Sequence, residues 1–299
     1  MTERIGDFAH QTRLADMMGA TRARVRGLET DVVTGKSTRS FAEIPQDTGL
    51  LLRTREQLAS ARSFIAQNER LTNEIQVMDG ALGSIVSMAE RLRTLLVQRL
   101  NDPTGQEMPL DIEAAAMLEE VVASLNTTSD GRYLFAGTAT DRRPVTLPPA
   151  PLITDNPTLY YAGDGRSRTV WLDRDVAVGL PARADDPAFA QLIAALGTAV
   201  AAHGSGDRAQ LESALTRAEQ ALAGVVELRS RIGAVASRVV DVTEHQRDTV
   251  LYLDETRAAI EDTDIAAAMT GMAQDKVAIE ASYLLVSQIS SLSLVDYLR

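Results

Sequence analysis

Metal chemistry in this chain would have to start from His10, His203 and His245, its only histidines. They lie far apart, without the H-x-x-x-H or H-E-x-x-H spacing that brings two imidazoles to one helical face, and they read as solvated helix-face residues. Cysteine is absent, which removes disulfides, thiolate zinc sites and a thiol nucleophile together. Gly35, Lys36, Ser37 and Thr38 echo the end of a phosphate-binding loop, but its first glycine would fall on Thr30 and no strand leads into it. A helix-to-helix turn at Gly35 fits better. Glu261, Asp262 and Asp264 could be imagined as a carboxylate pair for acid and base work. Standing just before an apolar run, they read instead as a helix start capped by Asp262 or Asp264. No G-x-S-x-G, dinucleotide fingerprint or C-x-x-C occurs. The expectation is a protein that is not an enzyme, with no catalytic residue, cofactor or metal.

What remains to be positioned is apolar surface, and the composition assigns that task to helices. Of 299 residues, 45% are hydrophobic and only 4% aromatic. That is enough for a sizeable core and for two domains or more, with a balance of Ala, Leu, Val and Arg that suits long helices. The net charge of -11 repels nucleic-acid phosphate and anionic lipid, so no nucleic acid partner is expected. No run approaches the ~18 apolar residues a membrane-spanning helix needs, so membrane insertion is not expected either. The opening MTERIGDFAHQTRLADMM has early acids and lacks the apolar centre of a cleavable signal peptide. Residues 1–40 carry seven bases and five acids, net +2, and residues 260–299 six acids and two bases, net -4. Ends of opposite sign could attract each other.

The strongest pattern is a heptad-like stripe: Leu71, Ile75, Met78, Leu82, Ile85, Ala89, Leu92 and Leu96 follow one another in steps of four and three. This predicts one long packed helix, extended backward through Phe64 and Ala61 to Leu50 and stopped by Asn101, Asp102, Pro103 and Gly105. A second run goes through Leu211, Leu215, Ala218, Leu222, Val225, Ile232, Ala236, Val239, Val250, Leu253 and Ile260, interrupted by Arg229, Thr243, Gln246 and Arg257. Such a helix cannot bury its stripe on itself, and the Leu71 helix is its natural partner. Between the two, Leu110 to Leu125 reads as a shorter helix. Residues 131–186 change character, with a β-prone GRYLFAG at Gly131–Gly137, a following stretch that holds Pro144, Pro148, Pro149, Pro151 and Pro157, and a turn at Gly163, Asp164 and Gly165 inside LYYAGDGRSRTVWL. This predicts a small β insertion whose core holds Trp171.

Both ends are amphipathic. Phe8, Ala15, Met18, Val25 and Val32 form one stripe; Ile265, Met269, Met272, Ile279, Tyr283 and Val286 form another, widened by Val277, Leu284 and Leu285. Terminal helices with wide apolar faces either dock on the body or wait for neighbouring subunits.

The C-terminal stretch IEDTDIAAAMTGMAQDKVAIEASYLLVSQISSLSLVDYLR, Ile260–Arg299, resembles the C-terminal signature of the flagellin superfamily. GRYLFAGTATDRRPV (Gly131–Val145) and YYAGDGRSRTVWLD (Tyr160–Asp173) resemble segments of the hook-associated protein 3 family, which forms the hook–filament junction. The TGKS turn at Thr34–Ser37 is followed by EIPQD at Glu43–Asp47, where family members carry an S-D-D-P-like cluster. The resemblance implies a mainly α fold with a small β insertion: a long antiparallel coiled-coil-like rod made by the N- and C-terminal halves, with a central β-rich domain. It implies terminal helices for axial assembly at 1–45 and 262–299, a long-helix domain at 46–130 and 187–261, and an outward domain at 131–186. It further implies export without a cleaved signal to the extracellular flagellum. The implied partners are hook-associated protein 1, flagellin, sister copies in a ring, and the export apparatus with a chaperone. On this reading Phe8, Met18, Met269, Met272, Ile279, Tyr283, Val286, Ile289 and Leu292 bury their faces against other subunits. A minor flagellin building the filament itself, and a cytoplasmic coiled-coil scaffold, remain as alternatives.

Overall fold

A computed structural model describes residues 2–37, 40–102, 109–148, 154–202 and 207–297, with side chains from 12 to 288 among them. In chain order the elements are α1 (Thr2–Thr34), α2 (Thr48–Asn101), α3 (Leu110–Leu125), β1 (Thr128–Ser129), β2 (Arg132–Tyr133), β3 (Thr169–Trp171), β4 (Ala177–Gly179), α4 (Pro187–Ala202), α5 (Arg208–Glu261) and α6 (Ile265–Tyr297), with 3-10 turns at Phe41–Glu43 and Pro157–Leu159. The chain divides into two compact units, Ser60–Thr249 and the joined ends Met1–Ala59 with Val250–Arg299. Among the described residues no helix is long and apolar enough to cross a membrane.

In the Ser60–Thr249 unit the Leu71 stripe behaves as its spacing dictates: all eight positions are buried in one apolar cluster with Leu211, Ala218, Val225, Ile232 and Val239 of α5. Polar pairs on the flanks fix the direction. Glu69 takes a hydrogen bond from Arg247 at 2.8 Å, Asp79 from Arg229 at 2.7 and 3.0 Å, and the Leu100 carbonyl from Arg208 at 3.3 Å. As one residue number rises the other falls, so α2 and α5 run antiparallel. Beside Arg229, the Asp79 carboxyl is held below its usual range.

The sequence reading contains no separate helix at 187–202, yet α4 is the most deeply buried element of this unit, apolar on almost every side. A helix without a polar face belongs inside a core. Pro187 occupies its first turn, and Asp186 caps it by accepting from the Ala188 N–H at 3.0 Å. It packs against α3, and Gly224 of α5 lets it approach closely, since a Cβ there would lie 2.7 Å from the Ala188 methyl.

The insertion departs from expectation in three places. Within GRYLFAG only Arg132–Tyr133 is strand, paired to Thr128–Ser129 across Asp130 and Gly131, both at positive φ. The following Leu134 and Phe135 leave the ladder to enter the core, Phe135 meeting Phe189 of α4 edge-on at 6.2 Å. The turn at Gly163–Gly165 is not a hairpin between its flanking runs: β3 pairs with Ala177–Gly179, and Tyr161 bridges to Val145. Asp164 is engaged elsewhere, accepting from both the N–H and the hydroxyl of Thr138, and that bonding holds its carboxyl below the usual range. Trp171, expected in the core, is 56% exposed. Strand alternation sends Val170 and Leu172 inward and leaves Thr169 and Trp171 outside. Burial raises the Tyr161 phenol to about 12, and its hydroxyl donates to the Asp164 carbonyl at 2.8 Å.

Gly137 has φ +73°, and a Cβ there would fall 2.7 Å from the Arg166 carbonyl and 2.8 Å from that of Asp164. Left-handed strain alone costs about 1–3 kcal/mol. Gly137→Ala is therefore expected to destabilise this unit by more than ~2 kcal/mol in urea unfolding, since two backbone oxygens must move as well. A variant with unchanged midpoint would show that the 138–166 link is not rigid.

Candidate assembly surface on the terminal helices

In the other unit, α1 ends where Gly35 takes φ +70°, the left-handed turn its position predicts. The chain then meets the α5–α6 connection: Ser37 N–H donates to the Glu261 carbonyl at 2.9 Å and Thr263 N–H to the Gly35 carbonyl at 3.1 Å. Of the three acids near this corner, Asp264 is the cap, accepting from the Ala267 N–H at 3.0 Å. Glu261 does something the sequence did not suggest. Its side chain, only 7% exposed, accepts from Lys36 at 3.2 Å and from Arg55 at 2.7 Å. Lys36 also pairs with Asp262, so one carboxylate ties three chain segments together.

Burial pushes the Glu261 carboxyl up, but the bonds from Arg55 and Lys36 outweigh it and hold the group below its usual range. A depressed carboxyl contributes stability that is present above its unfolded value and lost as pH falls toward the folded one. Glu261→Gln should weaken hydrogen-exchange protection around residues 35–37 and 261–263 at neutral pH. The difference from the parent chain should close only as pH falls below the ordinary carboxylate range and through the depressed value of the folded chain, where the Glu261 carboxyl is protonated too. A gap that persists in acid would mean that shape, not charge, holds the corner.

Helices α1 and α6 pack along each other. Arg24 grips Asp275 with two bonds, 2.6 and 2.5 Å, which keep that carboxyl below its usual range. Lys276 lies 3.6 Å from Glu29, Arg22 stands 5.1 Å over the Tyr283 ring, and Leu28 covers Gly271. The opposite end charges do meet, as pairs. On α6 the buried or half-buried positions Ala268, Met272, Asp275 and Ile279 step by three and four, the rhythm of a face turned to one neighbour.

That neighbour covers one side only. Val277 is 65% exposed and Leu284 67%, both about half a turn round the helix from Asp275. Ile265, Met269, Tyr283, Leu285 and Val286 are exposed too, as are Met17 and Val33 on α1. So many exposed apolar side chains ask for more cover than one neighbour gives, and among the described residues α1 is the helix that packs along α6. Fifteen residues between Glu280 and Asp296 carry no charge, an unusual condition for a solvated helix.

The expected assembly residues divide accordingly. Met269, Tyr283 and Val286 lie exposed on α6, while Met18, Met272 and Ile279 are half-buried. The side chains of Phe8, Ile289 and Leu292 lie outside the described residues, as do that of His10 and the whole of His203; His245 is exposed. Val277, Leu284 and Leu285, noticed in the sequence only as a widening of the stripe, are exposed as well. The uncharged run was the signal for Leu284 and Leu285. Among the described residues no group of His, Asp or Glu is placed to hold a metal ion.

Residues 9–140 match the family model for the bacterial flagellin N-terminal helical region, and residues 215–298 that for the bacterial flagellin C-terminal helical region. Comparison with curated protein sequences gives no match. Among solved structures the chain is similar to FlgL of Bacillus cereus, at 19% identity and TM-score 0.57, with 70% of this chain and 99% of that chain covered. It is similar to a protein assigned as flagellar hook-associated from Vibrio parahaemolyticus, at 15% identity and TM-score 0.62, covering 74% and 100%. It is also similar to FlgL of Xanthomonas campestris, at 15% identity and TM-score 0.53, covering 70% and 99%. At these identities the likeness is one of fold.

Proposed function

The chain belongs to the bacterial flagellin family, carrying both of its terminal helical regions, and from this we propose that it is a structural subunit joining the flagellar hook to the flagellin filament. The observation that carries the proposal is α6, which packs one face along α1 and leaves Val277, Tyr283, Leu284, Leu285 and Val286 exposed. In a ring of sister copies, Met269, Tyr283 and Val286, together with Val277, Leu284 and Leu285, bury their faces against neighbours. Each large side chain so buried contributes ~1.5–3 kcal/mol, so a few exceed the ordering cost of a terminal helix. Residues 1–45 and 262–299 supply this surface, 46–130 and 187–261 the long helices, and 131–186 an outward face. Hook-associated protein 1 lies on one side of the ring and flagellin on the other, after export through the flagellar channel with a chaperone. The subunit makes and breaks no bond. The segments GRYLFAGTATD and YYAGD, and the likeness of fold to FlgL, favour the junction over the filament.

The test uses the cysteine-free background. A dye on Arg174→Cys, at an exposed position, should mark one band at the hook-proximal end of each flagellum. Label along the whole filament would make this a filament subunit, and label confined to the cytoplasm would sink the flagellar reading.

A further inference from the structure

Two amides are buried in the middle of the apolar seam between α2 and α5. The Asn68 Nδ2 donates to the Leu172 carbonyl and to the Gln246 Oε1, each at 3.1 Å, and the Gln246 Nε2 donates to the same Leu172 carbonyl at 2.9 Å. Next to them the Gln67 Nε2 holds the Trp171 carbonyl at 2.9 Å. Side chains of two helices thus converge on consecutive carbonyls at the end of β3, where the Leu172 N–H already pairs with the Val176 carbonyl at 2.7 Å.

We propose that the Asn68–Gln246–Leu172 node is a register lock, selecting one pairing of α2 with α5 and seating the β3–β4 hairpin on it. A heptad seam is by itself degenerate, because a slide of seven residues sets apolar positions against apolar positions again. The node removes that degeneracy. Sliding α5 by one heptad sets Asn68 level with Val239 and Gln246 level with Ala61, so both amides lose their partners inside an apolar seam. Its bonding is not optimised for strength: the buried Asn68 Oδ1 has no hydrogen-bond partner. A buried polar contact that is dispensable for stability yet decisive for pairing is a known way for helices to fix register.

The full-length chain tests this. One cysteine replaces Glu69 and a second replaces either Arg247, opposite it in the observed register, or Val240, one heptad away by about 10.5 Å along the helix. In the parent background a short bis-maleimide should link 69 to 247 at least about tenfold faster than 69 to 240. In Asn68→Leu/Gln246→Leu the two rates should come within about threefold, with a fall in the fluorescence anisotropy of Trp171, the sole tryptophan. The exchange Asn68→Gln/Gln246→Asn, which keeps both amides, should retain the parent preference and serves if the leucine pair does not fold. A leucine pair that keeps both the parent preference and the Trp171 anisotropy would overturn the proposal. So would an amide exchange that loses the preference while folding.

Discussion

With Val277→Asp and Leu284→Asp combined, the chain should keep its helix content and its α1–α6 pairing as a monomer and vanish from flagella. Both positions point away from Asp275 and α1, so in the monomer the new carboxylates stand in water and cost little. Pressed against a neighbouring subunit without a partner charge, each would cost several kcal/mol in lost solvation. Two such penalties lower subunit affinity by more than ~1,000-fold, since every 1.4 kcal/mol is a factor of ten. Immunoblots of sheared flagella should show less than about 1% of the parent amount, against unchanged levels in the cell. Normal incorporation would mean that this face of α6 meets no neighbour, and the assembly proposal would lose its main support. Lys276→Ala is the matched control, because it breaks only an exposed pair with Glu29.

How far the sequence revealed this fold depended on whether its signals were local. The Leu71–Leu96 stripe repeats every three or four residues, so each member reports the same face, and all eight are buried. Gly35 and Asp264 act within a few residues of themselves, and turn and cap chemistry suffices to read them. Glu261 was beyond that kind of reading: its partners Arg55 and Lys36 are 206 and 225 residues away, and nothing near an acid at a helix end predicts two distant cations. Helix α4 escaped for the opposite reason. Amphipathic periodicity needs a polar face to contrast with, and PAFAQLIAALGTAVAA has almost none. The candidate surface was legible as an apolar terminal helix. Which residues of α6 meet α1 and which stay open was not, because its apolar positions spread over more than one face and spacing does not say which of them a partner covers.

Phe189→Ala should cost the Ser60–Thr249 unit about 3–5 kcal/mol, a large part of the 5–15 kcal/mol that holds an ordinary domain together. Phe189 is fully buried on α4 and meets Phe135 edge-on at 6.2 Å. Its removal leaves a cavity at the point where the insertion joins the helices, and Phe135 loses the ring that fixes its orientation. Trp171→Ala removes a larger side chain and should cost less than ~1 kcal/mol, because the indole is already mostly in water. Size and aromaticity alone rank the two substitutions the other way. Burial therefore decides, and parallel urea titrations of the variants with circular dichroism as the probe read the outcome directly. If Trp171→Ala proves as damaging as Phe189→Ala, the indole belongs to the core and the strand alternation that turns it outward is wrong. If Phe189→Ala is mild, the insertion does not share the helical core through α4, and the 131–186 segment must be held to the helices by its polar contacts at Asn68, Gln246 and Glu74.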